Sequence, residues 1–383
     1  MRRIGLVCVN NNNYGSILQS FALQYILKKL GNDVTVIRYE EKSLMQKLHR
    51  MRSKEWTINK WNYIKNYYII PIWNKSLRNG LKLRNERFYK FKVEKFIYSN
   101  IYTDLNDISE FVKTMDVIVL GSDQVWHPSN LEMNYFTLNF VPINIKKISY
   151  APSFGVSNLT NIQAKKTIDF LKRFDAISVR ELSGKKIIKD LIGKDVEIVC
   201  DPTLLLSSDE WNGVLNVSKP LVNNKYILCY FIGDNPWQRK NAEAISKKFG
   251  LKIIALPHID KYVHSDESYA DIKYYDAGPI EFINLIKHAS LVMTDSFHAT
   301  VFSIINHTPF FTFNRFKTGN KASTNSRISS ILKILDLEER HIKSEVDLNI
   351  TDNNIMCDFS NTDKVLEKFR VSSLKYLKES ING

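Results

Sequence analysis

The chain has 383 residues, 44% of them hydrophobic, and a formal net charge of +14, which excludes a disordered polar chain and favours two folded domains over one. No segment reaches the roughly 20 apolar residues of a membrane span, and the N-terminal apolar run is too short for a signal h-region and lacks a small-residue cleavage site. The excess of Lys and Arg points to an anionic partner: a phosphorylated substrate, a membrane surface or nucleic acid. Cys8, Cys200, Cys229 and Cys357 lie far apart with no CxxC pair and read as buried free thiols. A soluble, cytoplasmic protein is expected.

In chain order, IGLVCV (4–9) reads as a buried strand, followed by an Asn-rich turn, an amphipathic helix from about Ser16 to Leu30 and a second strand, VTVIRY (34–39). This β-turn-α-β opening builds parallel sheets. Residues 41–100 interrupt it with fifteen Lys/Arg against four Glu, interleaved with Trp56, Trp61, Tyr63, Tyr67, Tyr68 and Trp73. That composition fits an inserted helical subdomain with a solvated basic face, or a peripheral contact with anionic lipid headgroups. Nucleic acid is disfavoured, because no helix-turn-helix, zinc-finger or RNP-like motif accompanies the charge.

Further strands are expected at 116–120, 146–151, 176–180 and 195–200, with helices at 161–174 and 183–192. The pattern relaxes around 215–224. A second α/β series then runs through strands 226–232, 251–256, 291–294 and 309–313, with helices near 236–249 and 279–289. These series predict an α/β protein of two domains, 1–217 and 218–383. A terminal helix at 361–380 can pack on either.

Ligands bind open α/β sheets at the carboxyl ends of strands, and four polar clusters fall there. NNNNYGS (10–16) opens the first helix, where free N–H groups suit an anion or a sugar hydroxyl; Gly15 permits close backbone approach. In GSDQVWHP (121–128), Gly121-Ser122-Asp123 caps the following segment, while Gln124, Trp126 and His127 offer the hydrogen bonds and flat apolar face of a sugar-binding rim. In SVRE (178–181), Arg180 at a strand tip is placed to clamp a carboxylate or phosphate. In TDSFHATVFSII (294–305), Asp295 or Ser296 caps a buried helix and His298 lies near its first turn. No HxxxH or HExxH spacing supports a metal site, and phosphate-loop, GxGxxG and Gly-x-Ser-x-Gly motifs are missing.

Taken together, NNYGSILQSFALQ…LG, GSDQVW, YAPSFG, SVRE, DPTLLL…W and TDSFHATVFSI resemble the polysaccharide pyruvyltransferase family over about residues 4–315. The resemblance implies a GT-B-like fold, two Rossmann-like domains facing each other across a cleft. It also implies transfer of the pyruvyl group of phosphoenolpyruvate to a sugar, forming a ketal and releasing phosphate, with no metal or other cofactor. Carried over by motif, His298, Arg180 and Asp123 are the catalytic candidates. Donor binding falls to Arg180, Ser296, Phe297 and His298, and acceptor binding to Asn13, Tyr14, Gly15, Gln124 and Trp126. Some members carry Arg where Ser296 stands, and Gly is common where Ala299 stands; Arg315, Lys317 and Arg327 are candidates to supply the charge. The partners implied are phosphoenolpyruvate and a sugar acceptor, with a lipid-linked oligosaccharide favoured by the basic aromatic segment. The alternative is a glycosyltransferase using a nucleotide sugar on the same frame.

Overall fold

The computed structural model describes residues 1–40, 74–257, 263–266, 268–316, 325–345, 348, 350–351 and 355–383. Residues 41–73, which hold Trp56, Trp61, Tyr63, Tyr67, Tyr68 and Trp73 of the basic segment, lie outside them, as does Lys317.

Short runs of β-branched and other apolar residues form the strands, as their burial on both faces of parallel sheets requires. The first sheet comprises β1 (Arg3–Val7), β2 (Asp33–Tyr39), β3 (Tyr98–Tyr102), β4 (Val117–Leu120), β5 (Lys146–Ser149), β6 (Ala176–Val179) and β7 (Glu197–Ile198), ordered 3-2-1-4-5-6-7. The second comprises β8 (Tyr226–Tyr230), β9 (Lys252–Ala255), β10 (Ile272–Lys273), β11 (Leu291–Thr294), β12 (Phe310–Phe313) and β13 (His341–Ile342), ordered 10-9-8-11-12-13. Every named pairing is parallel, for example Leu6↔Val119 and Met293↔Cys229. Both sheets therefore reverse strand order at one point, between β1 and β4 and between β8 and β11. That reversal is where a doubly wound sheet opens its ligand crevice.

The helices are α1 (Tyr14–Lys29), α2 (Lys75–Lys95), α3 (Leu105–Val112), α4 (Asn161–Leu171), α5 (Leu182–Ile192), α6 (Ser208–Leu215), α7 (Pro236–Phe249), α8 (Pro279–Lys287), α9 (Phe297–Ile305), α10 (Ser326–Ile334) and α11 (Ser360–Asn382). One apolar cluster runs from the first sheet (Ile4, Leu6, Val119) through α1 to α8, α9 and the second sheet (Val292, Phe302). The helix α1 is thus buried nearly all round rather than amphipathic, because it lies between the two sheets instead of on a surface.

Two elements differ from the sequence expectation. Residues 98–100 do not belong to an insertion: they lie in β3, which pairs with β2, with Val36 opposite Tyr98. The helix before it buries Leu81, Phe88 and Phe91, so the described part of the basic segment is an ordinary crossover. The terminal helix contacts both halves. Near its start Thr362 Oγ1 donates to Leu335 O at 3.2 Å. Further along, Cys200 N donates to Ser373 Oγ at 2.9 Å and Tyr376 OH to Ser149 O at 3.0 Å, beneath the first sheet. Among the described residues no helix is long and apolar enough to cross a membrane.

Candidate active site between the two sheets

A cavity of about 360 Å³ opens where the two switch points face each other. In the first half, Asn13 caps α1 by accepting from Ser16 N at 3.2 Å. Ser16 Oγ then donates to Asp123 Oδ2 at 2.5 Å, joining the first turn of α1 to the loop after β4. Asp123 holds a left-handed backbone, φ +79°, a conformation costly for a residue with a side chain and concentrated at functional sites. Its carbonyl accepts from Ser153 N at 2.8 Å, which fixes it there.

In the second half the same logic repeats. Asp295, fully buried, accepts from Ile232 N at 2.7 Å and Gly233 N at 2.8 Å, tying the loop after β11 to the loop after β8. Ser296, not Asp295, caps α9. The start of α9 meets the start of α1 directly: a Cβ on Gly15 would lie 1.9 Å from Nδ1 of His298. Only glycine lets the imidazole lie against the first turn of α1. Two helix N-termini, each with N–H groups that lack an intrahelical acceptor, thus converge on one cavity.

The charges are arranged around that point. Arg315 Nη2 donates to Asp295 O at 3.0 Å, and Arg327 faces Gln124, whose amide oxygen, turned toward it, accepts from Nη1 at 3.2 Å and Nη2 at 2.9 Å. Both arginines line the cavity with Asp123 and His298. Burial, then Arg180 and Arg315, push the Arg327 guanidinium down to about 9. It still carries its proton at neutral pH, and its neighbourhood is short of negative charge. Burial works to raise the Asp123 carboxyl, but His298, Arg180, the Ser16 hydroxyl and Arg327 outweigh it and hold it below the usual carboxylate range.

Behind the cavity wall sits a fully buried carboxylate, Asp201. It accepts from Arg180 Nη1 at 2.7 Å and from Thr203 N and Oγ1 at 3.0 and 2.7 Å, and it faces His298 Nε2 at 3.7 Å. Burial opposes its ionisation, yet the facing His298 and Arg180 hold it well below the usual range. Arg180 also lies 4.4 Å from the Phe297 ring centroid, a cation–π contact, and 3.6 Å from Glu181.

Residues 13–315 match the model of the family described as polysaccharide pyruvyl transferase. The chain belongs to that family. No curated protein sequence matches it. Among solved structures, the fold of this family member is similar to Arabidopsis thaliana UGT89C1 complexed with UDP-L-rhamnose, at 12% identity and a TM-score of 0.52, covering 99% of this chain and 98% of that one. A putative UDP-N-acetylglucosamine 2-epimerase from Listeria monocytogenes matches at 12% identity and TM-score 0.47, over 95% and 94% of the two chains. Acinetobacter baumannii MurG matches at 9% and 0.44, over 100% and 99%. The fold is GT-B-like, two Rossmann-like sheets across a cleft.

Of the residues singled out in sequence, this member of the pyruvyl transferase family brings Asn13, Gly15, Asp123, Gln124, Ser296, Phe297 and His298 to the cavity. Four others are elsewhere: His127, for one, lies outside the cavity lining, with its Nδ1 2.8 Å from Ser129 Oγ. Trp126 is fully buried among Phe154, Phe170 and Phe174, with its indole N–H on Phe136 O, so it forms no rim. A large apolar ring gains more from that core than from water. Tyr14 stacks on Phe282 at 4.6 Å and donates to Ala277 O at 2.9 Å, joining the two halves rather than lining the cleft. Arg180 lies behind Phe297, neutralised by Asp201. Of the arginines named as candidates to supply charge near Ser296, Arg315 and Arg327 both line the cavity with it. Asp201 carries no sequence signal beyond that of a capped turn, which DPTLLL also is: Asp201 caps the segment Pro202–Leu205.

Proposed function

We propose that this protein transfers the pyruvyl group of phosphoenolpyruvate to a sugar of a polysaccharide or of its lipid- or nucleotide-linked precursor. The observation that carries the reading is the cavity's charge: two guanidiniums, one imidazole and two helix N-termini face a single carboxylate. Phosphoenolpyruvate is a small polyanion, and such a cradle suits both its phosphate and its carboxylate. In this proposal Arg327 and Arg315 hold the donor anions. His298 delivers a proton to the methylene carbon as a first sugar oxygen attacks the adjacent carbon; Asp123 orients that hydroxyl and accepts its proton. The second hydroxyl then displaces phosphate, its proton leaving with the phosphate, and the ketal closes. Arg180 and Asp201 are positioning residues: Arg180 fixes Phe297 and Asp201, and Asp201 faces the imidazole edge remote from Gly15. Phosphoenolpyruvate serves as co-substrate, with no further cofactor.

The test is incubation with phosphoenolpyruvate and a panel of lipid- and nucleotide-linked sugars, following phosphate release and product mass. A product heavier by one pyruvate less water is expected, and His298→Gln should lower its rate roughly 10²–10⁴-fold. Consumption of a UDP- or CMP-sugar with no phosphate released from phosphoenolpyruvate would instead establish a glycosyltransferase.

A further inference from the structure

A second cavity, about 220 Å³, lies beside the first in the second half of the molecule, lined by Asn235, Trp237, Asn314, Phe316, Lys343, Ser344 and Glu345. One short stretch separates the two. Leaving β12, the chain continues as Asn314-Arg315-Phe316, and alternate side chains diverge: Arg315 lines the charged cavity, while Asn314 and Phe316 line the second. The stretch is pinned from every side. Asn235 Nδ2 donates to Arg315 O at 2.9 Å, Gln238 Nε2 to Asn314 O at 3.1 Å, and His341 Nε2 lies 2.8 Å from Asn314 Oδ1. Asn314 Nδ2 donates to Lys343 O at 2.9 Å, and Asn325 Nδ2 to Phe316 O at 2.8 Å. Trp237 is held edge-on against Phe313 at 5.2 Å. The second cavity therefore has a wall that is ordered before any ligand arrives, which reduces the entropy lost on binding.

The lining also differs in chemistry. The first cavity is cationic; the second sets one Lys against one Glu, and otherwise offers two carboxamides, a hydroxyl, an indole and a phenyl ring. Such a surface has no net charge with which to attract a phosphate, but it suits a neutral polyhydroxylated ring with one apolar face. It opens at the carboxyl ends of β12 and β13 beside the N-terminus of α7, the same edge of the sheet that bears the first cavity. We propose that this second cavity is a glycan subsite, which holds a sugar unit of the acceptor next to the one being modified, so that Trp237 and Phe316 select an oligosaccharide over a monosaccharide. The proposal rests on the transferase reading above for its purpose, but its binding test does not.

The test titrates ¹⁵N-labelled protein with neutral gluco-, galacto-, manno- and N-acetylglucosamine oligosaccharides of one to four units, reading the indole N–H signal of Trp237, assigned with Trp237→Phe. At least one series should move that signal, with affinity rising about ten-fold on adding a unit that reaches the aromatic pair. Ser344→Trp, at an exposed position on the rim, fills the cavity without removing a core contact and should abolish the gain with length. A Trp237 signal unmoved by every series overturns the subsite, as does one moved only by UMP or CMP, which would make it a nucleotide site. A gain with length that survives Ser344→Trp also overturns it. Phosphate release from phosphoenolpyruvate reports on the transferase reading separately, so the two can fail independently.

Discussion

Arg327, a candidate in sequence to supply charge beside Ser296, lines the cavity, whereas Arg180 does not. Arg180, at the tip of β6, looks accessible, but its guanidinium is committed to Asp201 at 2.7 Å and stacked on Phe297. Arg327 lies in the first turn of α10, far along the chain, yet reaches Gln124 and lines the cavity. A charge-assisted hydrogen bond contributes about 1.5–3 kcal/mol. Arg327→Ala is therefore expected to raise the donor KM about ten- to a hundred-fold with little change in folding. Asp201→Asn, its counterpart behind the wall, should lower kcat and move the pH profile while leaving the donor KM nearly unchanged, since Asp201 faces His298 and does not line the cavity. Steady-state kinetics across pH on both variants measure the split, and equal KM effects in the two would contradict the division of labour.

At the scale of elements, the site is made by two helix starts meeting, and Gly15 is the point of contact. In an isolated helix, alanine in place of glycine stabilises by roughly 0.5–1 kcal/mol. Here the added methyl would stand 1.9 Å from His298 Nδ1. Gly15→Ala should thus cost at least ten-fold in turnover even where thermal stability is kept, because the imidazole is driven from its place against α1. An unchanged rate of phosphate release would show that the ring's position is immaterial. The strand expectations agree with the structure where apolar runs are continuous, as at β1, β4, β8 and β11. The two-residue strands β10 and β13 have no periodicity to detect, and β3, in the segment YSNIY, is recruited by pairing with β2 rather than by its own pattern.

For the whole molecule, the two sheets share one core and two fastenings. Tyr14 and Arg84 join α1 and α2, Arg87 of α2 pairs with Asp276 at 2.9 Å and Glu281 at 3.3 Å, and α11 runs from the second half to the first. Stability should depend on pH through His341, whose imidazole is pushed down to about 4, first by burial and then by Lys343. The folded protein keeps it neutral while the unfolded chain protonates near 6.5, so stability is unaffected above that value and is lost as pH falls toward 4. Urea unfolding at pH 7.0 and 4.5 is expected to show about 2–3 kcal/mol lost through this group. His341→Gln should lose correspondingly less than the parent chain over the same interval; identical losses would assign the acid sensitivity to other groups.

Composition and periodicity by themselves determined that this is an α/β protein with two series of parallel strands, and placed Asn13, Gly15, Asp123, Ser296 and His298 at strand ends, because hydrophobic period and strand-end polarity are local properties. Only the tertiary structure decided which of the polar candidates line the cavity. Trp126 and Arg180 lie in motifs as suggestive as that of His298, but burial in an aromatic core and pairing with Asp201 depend on contacts 21 or more residues apart. Arg327 and the pinned wall at Asn314–Phe316 likewise owe their placement to what packs against them. Local sequence sets the ends of strands and helices; which ends meet across a cleft is set by the packing of one sheet against the other.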